Sequence, residues 1–284
     1  MIDRKRLVLI GHPVAHSLSP IMHNAALDAA GISLRYEALD VEPQQLRETL
    51  GKLSSVHGAG NITIPHKRSA IGLMGAISAA AAAAGTVNTF WSDEDGHLAG
   101  DNTDVAGFEF LMTETTGAIP GNCRIAVLGA GGAAAAVLAA VSGWKGCTAT
   151  VHARSIESAA ALCRRFSAFS RAMAMSDDQV RQADIVVNAT PVGLGDDSQP
   201  ISVNRIAPHA AVIDLAYGRS ETAWVRAARD QGHRASDGLP MLVRQGSLAF
   251  RRWFGVDPDE EAMWAAVLKA TGRARRVGGA QVQH

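Results

Sequence analysis

Short bounded apolar runs alternate with helix-spaced apolar positions along the first third of the chain. Leu7-Val8-Leu9-Ile10 predicts a buried strand. Ser19-Pro20 predicts a helix entry, with Ser19 as N-cap, Pro20 at the first helical position and Gly31 as the stop. Leu34, Tyr36 and Ala38 alternate with Arg35 and Glu37 as a half-buried strand does, and Leu46, Leu50 and Leu53 recur at helical spacing behind Pro43. Ala59 to Ile64 reads as a third strand ended by Pro65, and the run Ala79 to Ala84 as a small-residue helix packed closely on a neighbour. This βαβα rhythm predicts an α/β domain around a mainly parallel sheet.

A second series starts at Arg124-Ile125-Ala126-Val127-Leu128. It continues with a helix from about Ala133, a strand over Ala149 to His152, a helix from about Ile156, and strands over Ile185 to Asn188 and Ala211 to Asp214. Thr115 to Asn122, holding Gly117, Pro120 and Gly121, is the predicted linker. Beyond Gly238 only helical spacing remains, over Leu239 to Gly255 and Asp259 to Thr271, so these helices must pack on a domain already formed. Residues 273–284 are small and polar with three arginines and are expected to fray.

Composition narrows the function classes. With 284 residues, 47% hydrophobic and 19% charged, the chain has apolar mass for about two domains. Lys+Arg 27 balances Asp+Glu 27, which leaves no global basic field for nucleic acid or an anionic membrane. Aromatic residues at 5% argue against base-stacking platforms. Cys123, Cys147 and Cys163 form no C-x-x-C pair, so neither a disulfide framework nor a zinc site is expected. No apolar run reaches transmembrane length, and the basic start runs into too short an apolar segment for a signal peptide. A soluble, cytoplasmic protein is expected, without metal, nucleic-acid or membrane partners.

Gly129-Ala130-Gly131-Gly132-Ala133-Ala134 fits G-x-G-x-x-G/A between a predicted buried strand and an alanine-rich helix. The first glycine permits the tight turn, the second a close backbone approach to a pyrophosphate, and the helix start supplies unpaired N–H groups. The bland alternative is a tight turn in a chain with 28 glycines. The next strand ends Val151-His152-Ala153-Arg154-Ser155, without the acid that grips a ribose 2′-OH. Arg154 suits a 2′-phosphate instead, so NADP is favoured over NAD. The alternative is a solvated arginine at a helix start, a mildly unfavourable place for a cation.

Two polar clusters precede this loop. In Gly11 to Pro20, the prolines exclude the helix on which His12 and His16 would pair as zinc ligands. Ser17 and Ser19 are either helix caps or neutral donors for a hydroxylated or carboxylated ligand. Asn61-Ile62-Thr63-Ile64-Pro65-His66-Lys67 delivers polar side chains to a strand end, where α/β sites form. Taken alone, Lys67 reads as a surface lysine more readily than as a functional one. Val87-Asn88-Thr89 and Gly100-Asp101-Asn102-Thr103-Asp104 add further Asn-Thr steps and carboxylates.

Taken together, Gly11 to Asn24 (G-x-P-x-x-H-S-x-S-P-x-x-H-N), Asn61 to Lys67, Thr86 to Thr89, Asn102 to Asp104, Gly129 to Ala134, Asn188-Ala189-Thr190, Asp214-x-x-Tyr217 and Met241 to Gln245 resemble, in order, the motifs of the shikimate dehydrogenase family. The resemblance implies an N-terminal α/β substrate domain over 1–105, completed by C-terminal helices over 239–272, and a Rossmann-type NADP-binding domain over 106–238. It implies reversible NADP-linked reduction of 3-dehydroshikimate to shikimate by a monomer or homodimer. Lys67 and Asp104 then match the catalytic pair, and Ser17, Ser19, Thr63, Asn88, Tyr217 and Gln245 the substrate contacts. Gly129, Ala130, Gly131, Gly132, Ala133, Arg154, Ser155, Thr190 and Gly238 match cofactor positions. Ala153-Arg154-Ser155 departs from the family's usual Asn-Arg-Thr, and Leu194 and Arg219 replace a common methionine and proline. A quinate or aminoshikimate dehydrogenase of the same family, and a non-catalytic NADP-binding sensor, are the alternatives.

Overall fold

The structure is a computed structural model that describes residues 4, 6–175, 177–277 and 280–281. The chain divides into two compact units, Met1–Asp104 with Leu242–Ala270, and Val105–Met241 with Thr271–His284. Among the described residues no helix is long and apolar enough to cross a membrane.

In the first unit, β1 (Leu7–Gly11) leads through α1 (Ser19–Ala29) to β2 (Tyr36–Asp40), then through α2 (Leu46–Ser54) to β3 (Ala59–Ile62). Short pieces follow: α3 (Lys67–Ala70), β4 (Ala76–Ile77), α4 (Ala79–Ala84), β5 (Thr89–Ser92) and β6 (Leu98–Asp101). The sheet order is β2-β1-β3-β5-β6-β4. β5 runs antiparallel to both β3 and β6 while the other pairs are parallel, so the sheet is mainly parallel, as expected, with one reversed strand. The antiparallel pairs escape the periodicity because β5 and β6 are four-residue strands whose faces are nearly all covered. Leu46, Leu50 and Leu53 of α2 bury against Val8, Ile10, Ile62 and Phe90, as their spacing requires.

Helix α1 begins one residue earlier than the capping argument predicts: Ser19 is its first residue and Leu18 takes the N-cap position. The fixed backbone of Pro20 suits the first turn, and Ser17 Oγ accepts from Ser19 N at 3.2 Å, so the cap function falls to Ser17. Gly31 does end the helix, with φ +66°. Around the alanine run, Ser78 caps the N-terminus of α4 and Gly85 closes it in the left-handed region.

The second unit opens within α5 (Thr103–Thr116), a helix not foreseen, which takes up the start of the expected linker. β7 (Arg124–Leu128), α6 (Gly132–Val141), β8 (Thr148–Ala153), α7 (Ile156–Arg165), β9 (Ser170–Ala174), α8 (Asp177–Val180), β10 (Ile185–Asn188), β11 (Ala211–Asp214), α9 (Ala223–Asp230) and β12 (Ala235–Ser236) follow. All six strands are parallel, in the order β12-β11-β10-β7-β8-β9. Numbered from β7, that is the 3-2-1-4-5-6 order of the doubly wound dinucleotide fold. Eight consecutive residues of α6, Ala134 to Val141, are buried, and their small size lets the helix lie close on the sheet.

The C-terminal helices are α10 (Leu239–Phe254) and α11 (Glu260–Thr271). From Leu242 they belong to the first unit, where Arg252 Nε pairs with Asp101 Oδ2 at 2.7 Å and Trp253 Nε1 donates to Thr89 Oγ1 at 3.0 Å. The stretch from 273 expected to fray is tied down at its start. Arg273 reaches buried Asp237 at 2.8 Å, and β13 (Arg276–Val277) pairs with β14 (Ala280–Gln281). Residues 278–279 and 282–284 of that expected tail lie outside the described residues.

Candidate active site

In the first unit, β1 lies between two parallel neighbours, β2 and β3. The connections leaving the carboxyl ends of β1 and β3 therefore start side by side at a switch in strand order, the usual site location in such sheets. Two bonds lock them together: Thr63 N donates to Ile10 O at 2.8 Å and His12 N to Ile64 O at 3.0 Å. Gly11 permits this approach, since a Cβ there would stand 2.5 Å from Thr63 Cγ2. Ser17 and Ser19 follow β1, and Thr63 and Lys67 follow β3.

Lys67 opens α3 and its backbone is held by Val87 N, which donates to Lys67 O at 2.9 Å. The preceding His66 is buried and bonds Val41 O through Nε2 at 2.7 Å; burial lowers its pKa. Lys67 Nζ donates to Asp104 Oδ2 at 2.6 Å, with the two side chains only 15% and 7% exposed. Thirty-seven residues separate the partners, so no local spacing rule reveals the pair.

The backbone around Asp104 is held by a network of side-chain amides. The Asp104 N–H donates to Asn102 Oδ1 at 3.1 Å, and Asn102 Nδ2 donates to Thr86 O at 3.0 Å and Thr86 Oγ1 at 2.8 Å. Asn88 Oδ1 accepts from Thr103 N at 2.7 Å, and Asn88 Nδ2 reaches Gln245 Oε1 at 3.3 Å. Asp101 accepts from Asn102 N at 2.7 Å and also bonds the Ser78 hydroxyl. A buried ion pair is weak as a stability device, because desolvation offsets most of its attraction. A pair held rigidly beside neutral donors is well suited to moving a proton.

The structure thus pairs Lys67 with Asp104 and Asn88 with Gln245, the second pair tied to the first through Thr103, which precedes Asp104, with Ser17, Ser19 and Thr63 on the two locked connections. Ser17 has the capping role described above, while Ser19 is buried at the helix start. Tyr217 is half-buried in the second unit, beyond β11. Asn102 and Asp101 carry no role in the sequence reading; here Asn102 Oδ1 accepts from the Asp104 backbone, and Asp101 in turn accepts from Asn102 N.

In the second unit the corresponding switch lies between β7 and β10. Gly129 has φ +108°, and a Cβ there would come within 2.9 Å of Ala189 O, so no other residue fits the turn. A Cβ on Gly131 would meet nothing within 4 Å, and Gly131 caps α6 without any side chain. The first-turn N–H groups of α6, with Ala130 to Ala133 around them, are therefore presented to an anion. Arg154 is exposed just past the end of β8. These features fit a dinucleotide carrying a 2′-phosphate. Ser155 caps α7, accepting from Ser158 N at 3.1 Å and donating to Glu157 at 2.8 Å. Thr190 donates to Asn188 Oδ1 at 2.6 Å. Gly238 has a packing reason of its own, since a Cβ there would meet Leu215 O at 2.4 Å.

Asp214 organises this end of the sheet. It is buried and accepts from Asn188 Nδ2 at 2.8 Å, Ala216 N at 3.0 Å and Thr222 Oγ1 at 2.8 Å. Burial raises its pKa to about 6 in spite of these three bonds. Its proton is then lost in the unfolded chain near pH 4 but kept in the folded one to about pH 6. Stability must fall as pH rises through that window, by roughly 3 kcal/mol in all. Asp214→Asn keeps an acceptor and removes the titration, so its Tm should gain on the unmodified protein between about pH 4 and 7. Parallel Tm–pH curves would contradict this assignment.

Residues 9–90 match the shikimate dehydrogenase substrate binding domain, and residues 238–268 the shikimate 5'-dehydrogenase C-terminal domain. A shikimate dehydrogenase (NADP(+)) of Geobacillus kaustophilus is 36% identical over 272 residues, covering 93% of this chain and 98% of its own. The chain belongs to the shikimate dehydrogenase family. Among solved structures, the shikimate 5-dehydrogenase of Thermus thermophilus in complex with NADP(H) and shikimate is 38% identical, with a TM-score of 0.82 over 93% of this chain and 99% of that one. Quinate dehydrogenase of Corynebacterium glutamicum in complex with NAD is 29% identical, with a TM-score of 0.83 over 94% and 99%. Both structures thus match nearly the whole of this chain, one solved with NADP(H) and shikimate and the other with NAD.

Proposed function

We propose that the protein catalyses the reversible NADP-dependent oxidation of shikimate to 3-dehydroshikimate, with Lys67 and Asp104 as its acid–base pair. The observation that carries this reading is the buried contact between Lys67 Nζ and Asp104 Oδ2, 2.6 Å long. A protein that only binds a dinucleotide has no use for such a pair, which argues against a sensor.

NADP, when bound, supplies the hydride acceptor or donor. Its phosphates would be held by the start of α6 and its 2′-phosphate by Arg154. In the reducing direction Lys67 gives a proton from Nζ to the oxygen that becomes the hydroxyl; in the oxidising direction the free amine takes that proton back. Asp104 holds Nζ in place and accepts from a neighbouring ring hydroxyl. Ser17 and Ser19 donate to the substrate carboxylate, away from the reacting carbon. Asn88 and Gln245 position the remaining hydroxyls, with Thr63 and Tyr217 completing the substrate contacts.

Ser17→Ala or Ser19→Ala should raise the shikimate KM by about tenfold while changing kcat less, matching the loss of one hydrogen bond to a charged group of about 1.5 kcal/mol. If neither variant changes KM, both serines serve only the start of α1. Quinate is the second reading, supported by the likeness to quinate dehydrogenase, but that relative, at 29% identity, is less similar than the Thermus thermophilus shikimate 5-dehydrogenase at 38%, and was solved with NAD. The reading also includes a cytoplasmic location and a monomer or homodimer. A panel of shikimate and quinate against NADP+ and NAD+, followed by nicotinamide absorbance, tests it. Shikimate with NADP+ should give the highest kcat/KM; no turnover of shikimate with either cofactor would overturn the proposal.

A further inference from the structure

The cysteines have no part in the chemistry above. Cys123 and Cys147 are 24 residues apart in sequence, yet their Sγ atoms lie 2.8 Å from each other. Both are free thiols, each 6% exposed. Register explains the meeting. β7 pairs with β8 in parallel, Arg124 opposite Thr148, and Thr148 N donates to Cys123 O at 2.9 Å. Cys123 and Cys147 each stand one residue before that first pair, at the openings of neighbouring strands that run about 4.8 Å apart. A disulfide spans Cα separations of roughly 4.4–6.8 Å, so closure needs a small side-chain movement and no change in the sheet.

We propose that Cys123 and Cys147 form a redox-convertible dithiol that closes to a disulfide stapling β7 to β8. The oxidant is a small peroxide or a thiol-specific diazene such as diamide. With a peroxide, the sulfur of Cys147 attacks one oxygen, the O–O bond breaks, and Cys147 becomes a sulfenic acid as the first water leaves. The sulfur of Cys123 then attacks the Cys147 sulfur, forming the S–S bond and expelling the second water. Two thiols are oxidised by two electrons, and the peroxide is reduced to two waters. Burial, followed by its bond to Cys147, pushes the Cys123 thiol up, so Cys123 must give up its proton to the departing water as it attacks, and closure is slow. Cys147 Sγ–H is also directed at Pro120 O, 3.5 Å away.

The staple lies at the opening ends of the two strands whose far ends carry Gly129 and Arg154. The covalent loop it closes contains all of β7, the glycine turn and α6. Oxidation should therefore stabilise the second unit without touching the residues proposed to bind cofactor.

The test exposes the intact protein to diamide or hydrogen peroxide, then unfolds it and counts alkylatable thiols by mass spectrometry. The expected result is one labelled thiol, Cys163, in place of three, loss of two hydrogens in mass, a Cys123–Cys147 peptide link, and reversal by dithiothreitol. The melting temperature should rise by about 5–10 °C. Cys123→Ser and Cys147→Ala should each keep two labelled thiols after diamide and show no rise in melting temperature. Three labelled thiols after oxidation of the unmodified protein, a link that involves Cys163, or a link between two chains would overturn the proposal.

Discussion

Lys67→Ala is expected to lower kcat for shikimate oxidation by roughly 10²–10⁴, the usual contribution of a positioned acid or base. That span corresponds to about 3–5 kcal/mol of transition-state stabilisation. The shikimate KM should move far less, because an interaction made in the transition state can vanish without weakening ground-state binding. The structural basis is the single direction in which Lys67 Nζ is held. Asp104 fixes it at 2.6 Å, the Asp104 backbone N–H is itself held by Asn102, and the backbone of Lys67 is clamped by Val87. Asp104→Asn should damage both parameters, since the carboxylate is expected to meet substrate as well as lysine. The double variant should cost less than the two single effects summed, because the residues act as one unit. If Lys67→Ala instead raises KM and leaves kcat nearly intact, the lysine is a binding cation and the acid–base assignment fails. Lys67→His adds a further check, because an imidazole still exchanges protons near neutral pH and should retain partial activity with a shifted pH profile.

Arg154→Ala is expected to raise the KM for NADP+ by a factor of roughly 10 to 150, the equivalent of about 1.5–3 kcal/mol for a charge-assisted bond to phosphate. The KM for NAD+ should change little, as NAD+ has no 2′-phosphate. Arg154 lies just beyond β8, the strand beside β7, whose own end carries the glycine turn. No acid replaces it at that end to hold a ribose 2′-OH. Ser155 contributes less to this discrimination, since its hydroxyl is already engaged by Ser158 N and Glu157. Steady-state kinetics with both cofactors check the prediction; a better kcat/KM with NAD+ in the unmodified protein contradicts it.

Much of the fold is legible in the sequence because its elements bury one continuous face. The strands Arg124–Leu128 and Ile185–Asn188 stand out as apolar runs, and α2 shows itself through Leu46, Leu50 and Leu53. β5 and β6 stay hidden because Thr89, Ser92 and Asp101 are polar side chains buried by hydrogen bonds, so their strands lack the apolar signature. The glycine turn declares itself by spacing, and Gly129 has a steric reason that spacing alone does not give. The candidate acid–base pair is different. Lys67 taken alone resembles a surface lysine, and only its family motif singles it out; the contact with Asp104 depends on β5 pairing with β3 on one side and β6 on the other. The same holds for Cys123 and Cys147, whose spacing matches no disulfide pattern and which meet only through strand register.

A crystal structure of the protein with shikimate bound tests the central claim most directly, because it reports which substrate oxygen faces Lys67. The account predicts the reacting ring hydroxyl within about 2.6–3.2 Å of Lys67 Nζ, the distance at which a proton can pass. It also predicts the adjacent hydroxyl on Asp104 and the carboxylate at Ser17 and Ser19. A substrate bound the other way round, with its carboxylate on Lys67 and its hydroxyls on the serines, would contradict it.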